Sequence, residues 1–159
     1  MKIELDSIGI IHSPFTDLEK MPVQPKGAAG IEGTIELNPA YSVGLKDLEG
    51  FSHIFLIYFF HKAEKTRLAV IPFLDTVERG VFSTRSPLRP NHIGISIVQL
   101  VNIKGNVLSV KGMDVLDGTP LLDIKPYVEN FDSVNNCRSG WVKASEDEVA
   151  RMRSDNRFK

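Results

Sequence analysis

Apolar and polar positions alternate in several short runs of this chain, with the two-residue period of a strand that buries one face. Ile3, Leu5, Ile8 and Ile10 form one such run with a single irregularity, and Ile31, Gly33, Ile35 and Leu37 form a second. Asn38-Pro39 stops the second run and leaves Ala40 to Leu48 as at most a short helix. Phe51 to Phe60 is aromatic and β-branched on both faces, which predicts a strand covered on each side at the centre of the core. Alternation returns at Ile93, Ile95 and Ile97, and Lys104-Gly105-Asn106 separates that run from Val107 to Val115 as a hairpin turn. Asp117-Gly118 marks another turn before a short strand with Leu121, Leu122 and Ile124. The best-signalled helix is the last. Ser145 and Glu148 form an S-x-x-E capping box over 145–153, with Glu146 and Asp147 in the first turn and Arg151 and Arg153 in the last.

Six or seven short strands with irregular loops and one or two helices predict a mostly β chain, a barrel or a sandwich, without βαβ alternation. Two connections, 12–28 and 74–92, exceed the usual loop length of about 4–6 residues, which marks them as candidate binding loops. Pro87 and Pro90 exclude a central strand from the second.

Composition narrows the class. The chain has 159 residues, 42% hydrophobic and 25% charged, enough for one domain with its own core. Its one cysteine, Cys137, rules out a disulfide framework and reads as a packed thiol. Acids interrupt the first six residues, and the longest wholly apolar run is Ile54 to Phe60, so neither a secretory signal nor a membrane span is expected. A cytoplasmic protein with no membrane partner follows as the expectation. Net charge is −1, which excludes a general polyanion field. The halves differ: residues 1–60 hold four Lys and eight acids, whereas 61–159 hold fifteen Lys/Arg and twelve acids.

Three segments carry candidate chemistry. Gly80 to Gly94 brings Arg85 and Arg89 into a loop stiffened by Pro87 and Pro90, suited to a carboxylate or phosphate, and Asn91 offers an amide to an adenine-like edge. The alternative is a basic surface loop capping a barrel end. Asp117-Gly118-Thr119-Pro120 forces a tight turn that presents backbone groups beside a carboxylate and a hydroxyl. Asp114, Asp117 and Asp123 form a carboxylate group for which an ion pair with Lys125 is the structural reading. His53 and His61, eight residues apart on one strand, stand roughly 26 Å apart at about 3.3 Å per residue and cannot share a metal. His12 and His92 are isolated, so no metal site is expected. Walker, dinucleotide and nucleophile-elbow motifs are absent from the sequence.

Thr84-Arg85-Ser86-Pro87-Leu88-Arg89-Pro90-Asn91-His92-Ile93-Gly94, Asp117 to Tyr127 (D-G-T-P-x-x-D-I-K-P-Y) and Phe51 to His61 together resemble the TsaA-like (TrmO) family over roughly residues 5–142. That family contains tRNA adenine-N6 methyltransferases that use S-adenosyl-L-methionine in a β-barrel unlike a Rossmann domain. The resemblance implies a single-domain antiparallel β-barrel over 1–142 and a homodimer with the cofactor near the subunit interface, and the capping box leaves a short C-terminal helix and tail over 143–159. It implies cofactor contacts at Pro22, Val23, Gln24, His61, Lys62, Arg85, Ile95, Asp117, Gly118, Thr119 and Pro120. Arg85 would meet the methionine carboxylate or another polar cofactor edge and Ile95 would give backbone or apolar contact to the adenine, with Asp117 or Tyr127 as proton acceptor. The acceptor would be a threonylcarbamoyl-modified adenosine beside the anticodon of tRNA. A non-catalytic cofactor-binding regulatory module and a plain nucleic-acid-binding barrel are the competing classes. This sequence has His92 where the family often has Pro and Val23 where it often has Arg. It also stops soon after 145–153, whereas bacterial tRNA-modifying members carry a further C-terminal domain used in tRNA binding.

Overall fold

The computed structural model describes residues 1–19, 21–155 and 157. Among them are β1 (Gly9–His12), β2 (Glu32–Leu37), β3 (His53–Phe59), β4 (Ala69–Val70), β5 (Arg79–Gly80), β6 (Ile93–Lys104), β7 (Val107–Lys111) and β8 (Thr119–Pro126), with helices α1 (Glu129–Asp132) and α2 (Glu146–Arg151). Six strands close an antiparallel barrel in the order β1-β2-β7-β6-β3-β8, and β4 and β5 pair separately outside it. The expected barrel is therefore the observed fold, and no helix among the described residues is long and apolar enough to cross a membrane.

The pleat explains the core. Ile54, Leu56 and Tyr58 of β3 point inward, and Val98 stands opposite Ile54 on β6. Ile11, Ile35, Ile54, Leu56, Leu108 and Leu121 are all 0% exposed, and Leu45 from a 3-10 segment after β2 joins them. The β6–β7 hairpin turns at Gly105, whose φ of 63° favours glycine. Gly94 stands opposite Tyr58, and an added Cβ there would lie 2.2 Å from the tyrosine ring, so only glycine lets the ring lie flat on β6.

Three expectations need correction. The first strand starts at Gly9, not Ile3: Ile8 still bonds to Leu121 and Asn38, whereas Ile3 and Leu5 join no ladder among the described residues and are 72% and 63% exposed. Phe51 to Phe60 is covered on one face only, since Phe55 and Ile57 are half-buried and Phe59 is exposed on the outside of the barrel. Cys137 is exposed rather than packed.

The two long loops are ordered by their own polar groups. In 81–92, Thr84 donates to the Val81 carbonyl, Ser86 N–H donates to Thr84 Oγ1, and Leu88 N–H donates to Ser86 Oγ. In the first loop, Met21 N–H donates to Ser154 Oγ, and Ser154 N–H donates to the Met21 carbonyl. The C-terminal segment thereby clasps the 18–28 loop, and α2 packs on its 3-10 turn, Pro25–Ala28.

Candidate functional site

Between these loops and one end of the barrel lies a cavity of about 850 Å³. Its size falls within the range of sites for cofactor-sized ligands, roughly 300–1,000 Å³. Apolar side chains supply much of the wall, among them Phe60, Phe82, Leu116 and Trp141. Trp141 is held by donation from Nε1 to the Ser83 carbonyl at 2.8 Å, and Arg79 lies over its ring at 5.5 Å. Arg79 in turn grips Asp75 through two contacts of 2.8 Å, which hold that carboxyl below its usual range. Arg79 is thus tied into the rim.

The structure brings the first predicted string into this cavity: Pro22, Val23 and Gln24 line it. His61, Lys62, Arg85, Ile95 and Thr119 line it as well. Arg85 donates to Gln24 Oε1 at 2.7 Å, joining two loops 61 residues apart in sequence. Thr119 is 2% exposed and donates its one hydroxyl proton to the Leu116 carbonyl at 2.7 Å. His61 Nδ1, 3.3 Å from Thr119 Oγ1, must then be the donor in that pair, which leaves the lone pair on Nε2. Burial and the neighbouring Lys62 push the His61 imidazole below its ordinary pKa, which favours this neutral form.

The other predicted residues are placed elsewhere. Asp117 turns toward the 12–15 segment, accepting from Ser13 N–H at 3.0 Å and lying 3.3 Å from His12 Nδ1. Gly118 supplies the positive φ of the turn, 75°, and donates to the Ile11 carbonyl, while Pro120 stands opposite Ile10 in the barrel wall. Tyr127 lies beyond the far end of β8 from Thr119, where its ring packs 5.7 Å from Phe55 and 6.4 Å from His53. Asn91 is exposed and off the cavity wall. Asp123 takes the Lys125 ion pair at 3.0 Å, and Asp114 does not share it. His92 adopts φ 49°, which a proline ring cannot, so the histidine fits a local backbone that the family's usual proline would change.

A polar network on the cavity floor joins Asp114, one of the three carboxylates grouped from sequence, to Tyr58 and Ser96, which no motif marked. Tyr58, Ser96 and Asp114 all line or underlie the cavity, with Ser96 donating to Asp114 Oδ1 at 2.7 Å and Tyr58 3.0 Å from Ser96. Burial pushes the Asp114 carboxyl up to about 6 and also raises the Tyr58 phenol. The available signal was one acid among apolar neighbours, Met113-Asp114-Val115-Leu116.

Comparison with known proteins gives the site a context. Residues 10–133 match the family described as tRNA-methyltransferase O N-terminal domain. The chain is 53% identical over 151 residues to a probable S-adenosyl-L-methionine-binding protein of Pyrococcus abyssi, covering 95% of this chain and 82% of that one. It is 38% identical over 140 residues to the mouse tRNA (adenine(37)-N6)-methyltransferase, covering 82% of this chain and 32% of the mouse protein. The crystal structure of TrmO from Pseudomonas aeruginosa superposes with a TM-score of 0.75 at 39% identity, covering 89% of this chain. This chain spans 63% of that structure's length. The resemblance first carried by three motifs thus extends over most of the sequence and the whole barrel, and the chain belongs to the TrmO N-terminal domain family.

Proposed function

We propose that this chain is an S-adenosyl-L-methionine-dependent methyltransferase that modifies N6 of an adenosine in tRNA, with a threonylcarbamoyl-modified adenosine beside the anticodon as acceptor. One observation carries the reading: a single cavity joins apolar walls, the Arg85 and Lys62 cations and the Asp114 carboxylate. That mixture suits an amphiphilic ligand with an adenine, a carboxylate and positive charge. The cofactor supplies a methyl group on a sulfonium when bound.

The chain's own residues divide the remaining work. Arg85, braced by Gln24, is the carboxylate anchor, and its fork matches that geometry. Pro22, Val23, Lys62, Ile95 and Thr119 complete the cofactor-facing wall. The aromatic and apolar walls exclude water from the reacting groups, and alignment supplies much of the rate. His61 is the better proton acceptor than Asp117 or Tyr127, because its Nε2 lone pair belongs to a cavity residue and both others are turned away.

A homodimer is part of the same proposal. The outer face of β3 and β6 is apolar where solvent would favour polar residues, with Ile95, Ile97 and Val101 at 49%, 39% and 51% exposure beside Phe59 at 37%. Ile95 belongs to both this face and the cavity, which supports a site near the subunit interface. In the cytoplasmic setting this function implies, tRNA would meet Arg79, Arg89 and the basic residues of the final helix around the rim, with Arg85 kept for the cofactor.

A non-catalytic cofactor-binding module is the second reading, favoured by the Pyrococcus abyssi relative, whose name states binding alone. Methyl transfer to tRNA with and without the threonylcarbamoyl group, at two salt concentrations, decides between them. The expected result is transfer to the modified tRNA, with a shallow log–log salt slope of roughly −2 to −4 for about three or four phosphate contacts. Transfer to neither favours the module, and equal transfer to both shows that the carbamoyl group is not read.

A further inference from the structure

Asp114 is fixed on both sides by the core, since Met113 and Val115 are 0% and 3% exposed. Its side chain is half-buried and forms part of the cavity wall. Ser96 has one proton and gives it to Asp114 Oδ1, so at the 3.0 Å contact Tyr58 must donate to Ser96. Donation therefore runs from Tyr58 through Ser96 to Asp114. Both hydroxyls stabilise an anion, and neither brings positive charge to it.

The remaining charges do not neutralise it. Tyr58 faces Asp114 from β3 as a neutral phenol, and Arg85 acts on it from the 81–92 loop without forming an ion pair with it. The Arg85 guanidinium is engaged by Gln24. His61 and Lys62 lie on the same cavity wall. Among the described residues Asp114 forms no ion pair. A carboxylate withdrawn from water without a cation is costly, and here the open side of the group is the cavity.

We propose that Asp114 is the counter-charge for a positive group on the bound ligand, so that the cavity prefers a cationic adenosyl ligand to a neutral one. This assignment rests on the cofactor reading above. S-adenosylmethionine carries an ammonium and a sulfonium, its demethylated product keeps the ammonium, and methylthioadenosine has neither.

The test is calorimetry on the full chain with these three ligands, for the wild type and Asp114→Asn at pH 7.5. The substitution should weaken S-adenosylmethionine by at least about tenfold and leave methylthioadenosine within about twofold. A loss shared by the demethylated product assigns the contact to the ammonium, and a loss confined to S-adenosylmethionine assigns it to the sulfonium. Equal losses for all three ligands, or no loss for any, overturn the proposal.

A second measurement needs no variant. At pH 5, binding in two buffers of different ionisation enthalpy should show more proton release for S-adenosylmethionine than for methylthioadenosine, because the cation displaces a proton from Asp114. Equal release overturns the proposal even if the variant fails to fold. Wild-type protein that binds none of the three overturns the cofactor reading itself, and the assignment of Asp114 falls with it.

Discussion

Ile54 and Tyr58 point into the same barrel from the same strand, four residues apart, and meet opposite chemistry. Ile54 is enclosed by apolar side chains and fully buried. Tyr58 is as deeply set, yet its hydroxyl starts a chain through Ser96 to a carboxylate at the cavity. Burying a large aliphatic side chain contributes about 1.5–3 kcal/mol. The polar end forgoes part of that and accepts the cost of a desolvated carboxyl. One end of the barrel stabilises the fold, and the other spends some of that stability on a site.

Truncation should separate the two ends most sharply. Ile54→Ala leaves a cavity in the closed apolar region and should lower unfolding free energy by about 2–5 kcal/mol in urea denaturation. Ligand affinity of the folded fraction should stay unchanged. A large loss of affinity in this variant would show that the two ends are not independent.

The next effect is a pH dependence that belongs to the polar end. The folded Asp114 carboxyl titrates at about 6 against an unfolded value of 3.8. Between those values the folded protein binds more protons, so its stability falls as pH rises, by about 3 kcal/mol across the window. Asp114→Asn should flatten that slope relative to the wild type in denaturation at pH 4–7. Asp75, Glu148 and Asp155, whose carboxyls are held low by surface partners, give the opposite slope at lower pH in both proteins and cancel in the difference. Identical slopes would mean that Asp114 is solvated.

Gly94→Ala probes the join between the ends. Its Cβ would fall 2.2 Å and 2.6 Å from Tyr58 ring atoms, so the ring must move. Overpacking of this kind costs about 1–3 kcal/mol. Because the moved ring carries the hydroxyl, ligand affinity should fall as well, in contrast to Ile54→Ala. Stability loss with intact binding would detach Tyr58 from the site.

The apolar end was far more legible in the sequence than the polar one. Alternation at Ile31 to Leu37 and the Lys104-Gly105-Asn106 turn located β2 and the β6–β7 hairpin, since strand period and turn chemistry are local properties. Periodicity says which residues share a face, and it does not say what covers that face. Ile3 and Leu5 therefore looked like a strand, and the outer face of β3 looked buried. The site was legible only where a string was itself distinctive, and then only in part: Arg85 and Thr119 reach the cavity, yet Asp117 and Tyr127, from the same string as Thr119, turn away. Tyr58, Ser96 and Asp114 are brought together by barrel closure across 38 and 18 residues, and no local pattern marks that meeting.

The smallest expected effect lies at the rim. Ser145 Oγ accepts from Glu148 N–H at 3.2 Å and Ser145 N–H donates to Glu148 Oε2 at 2.6 Å, the capping box anticipated from sequence. Ser145→Ala removes the hydroxyl half of the box, which costs about 1 kcal/mol of helix stability. The loss should be local, because α2 packs on the Pro25–Ala28 turn rather than on the barrel core. Hydrogen exchange at residues 146–151 should quicken while the amides of β3 and β6 keep their protection. Val149 lines the cavity and the tail holds Met21 through Ser154, so fraying reaches the ligand only by loosening one wall. Affinity should therefore fall by less than about fivefold, given the roughly 1 kcal/mol at stake. A loss as large as that from Asp114→Asn would shift control of binding from the polar floor to the rim, and the contrast between the two barrel ends would no longer account for the site.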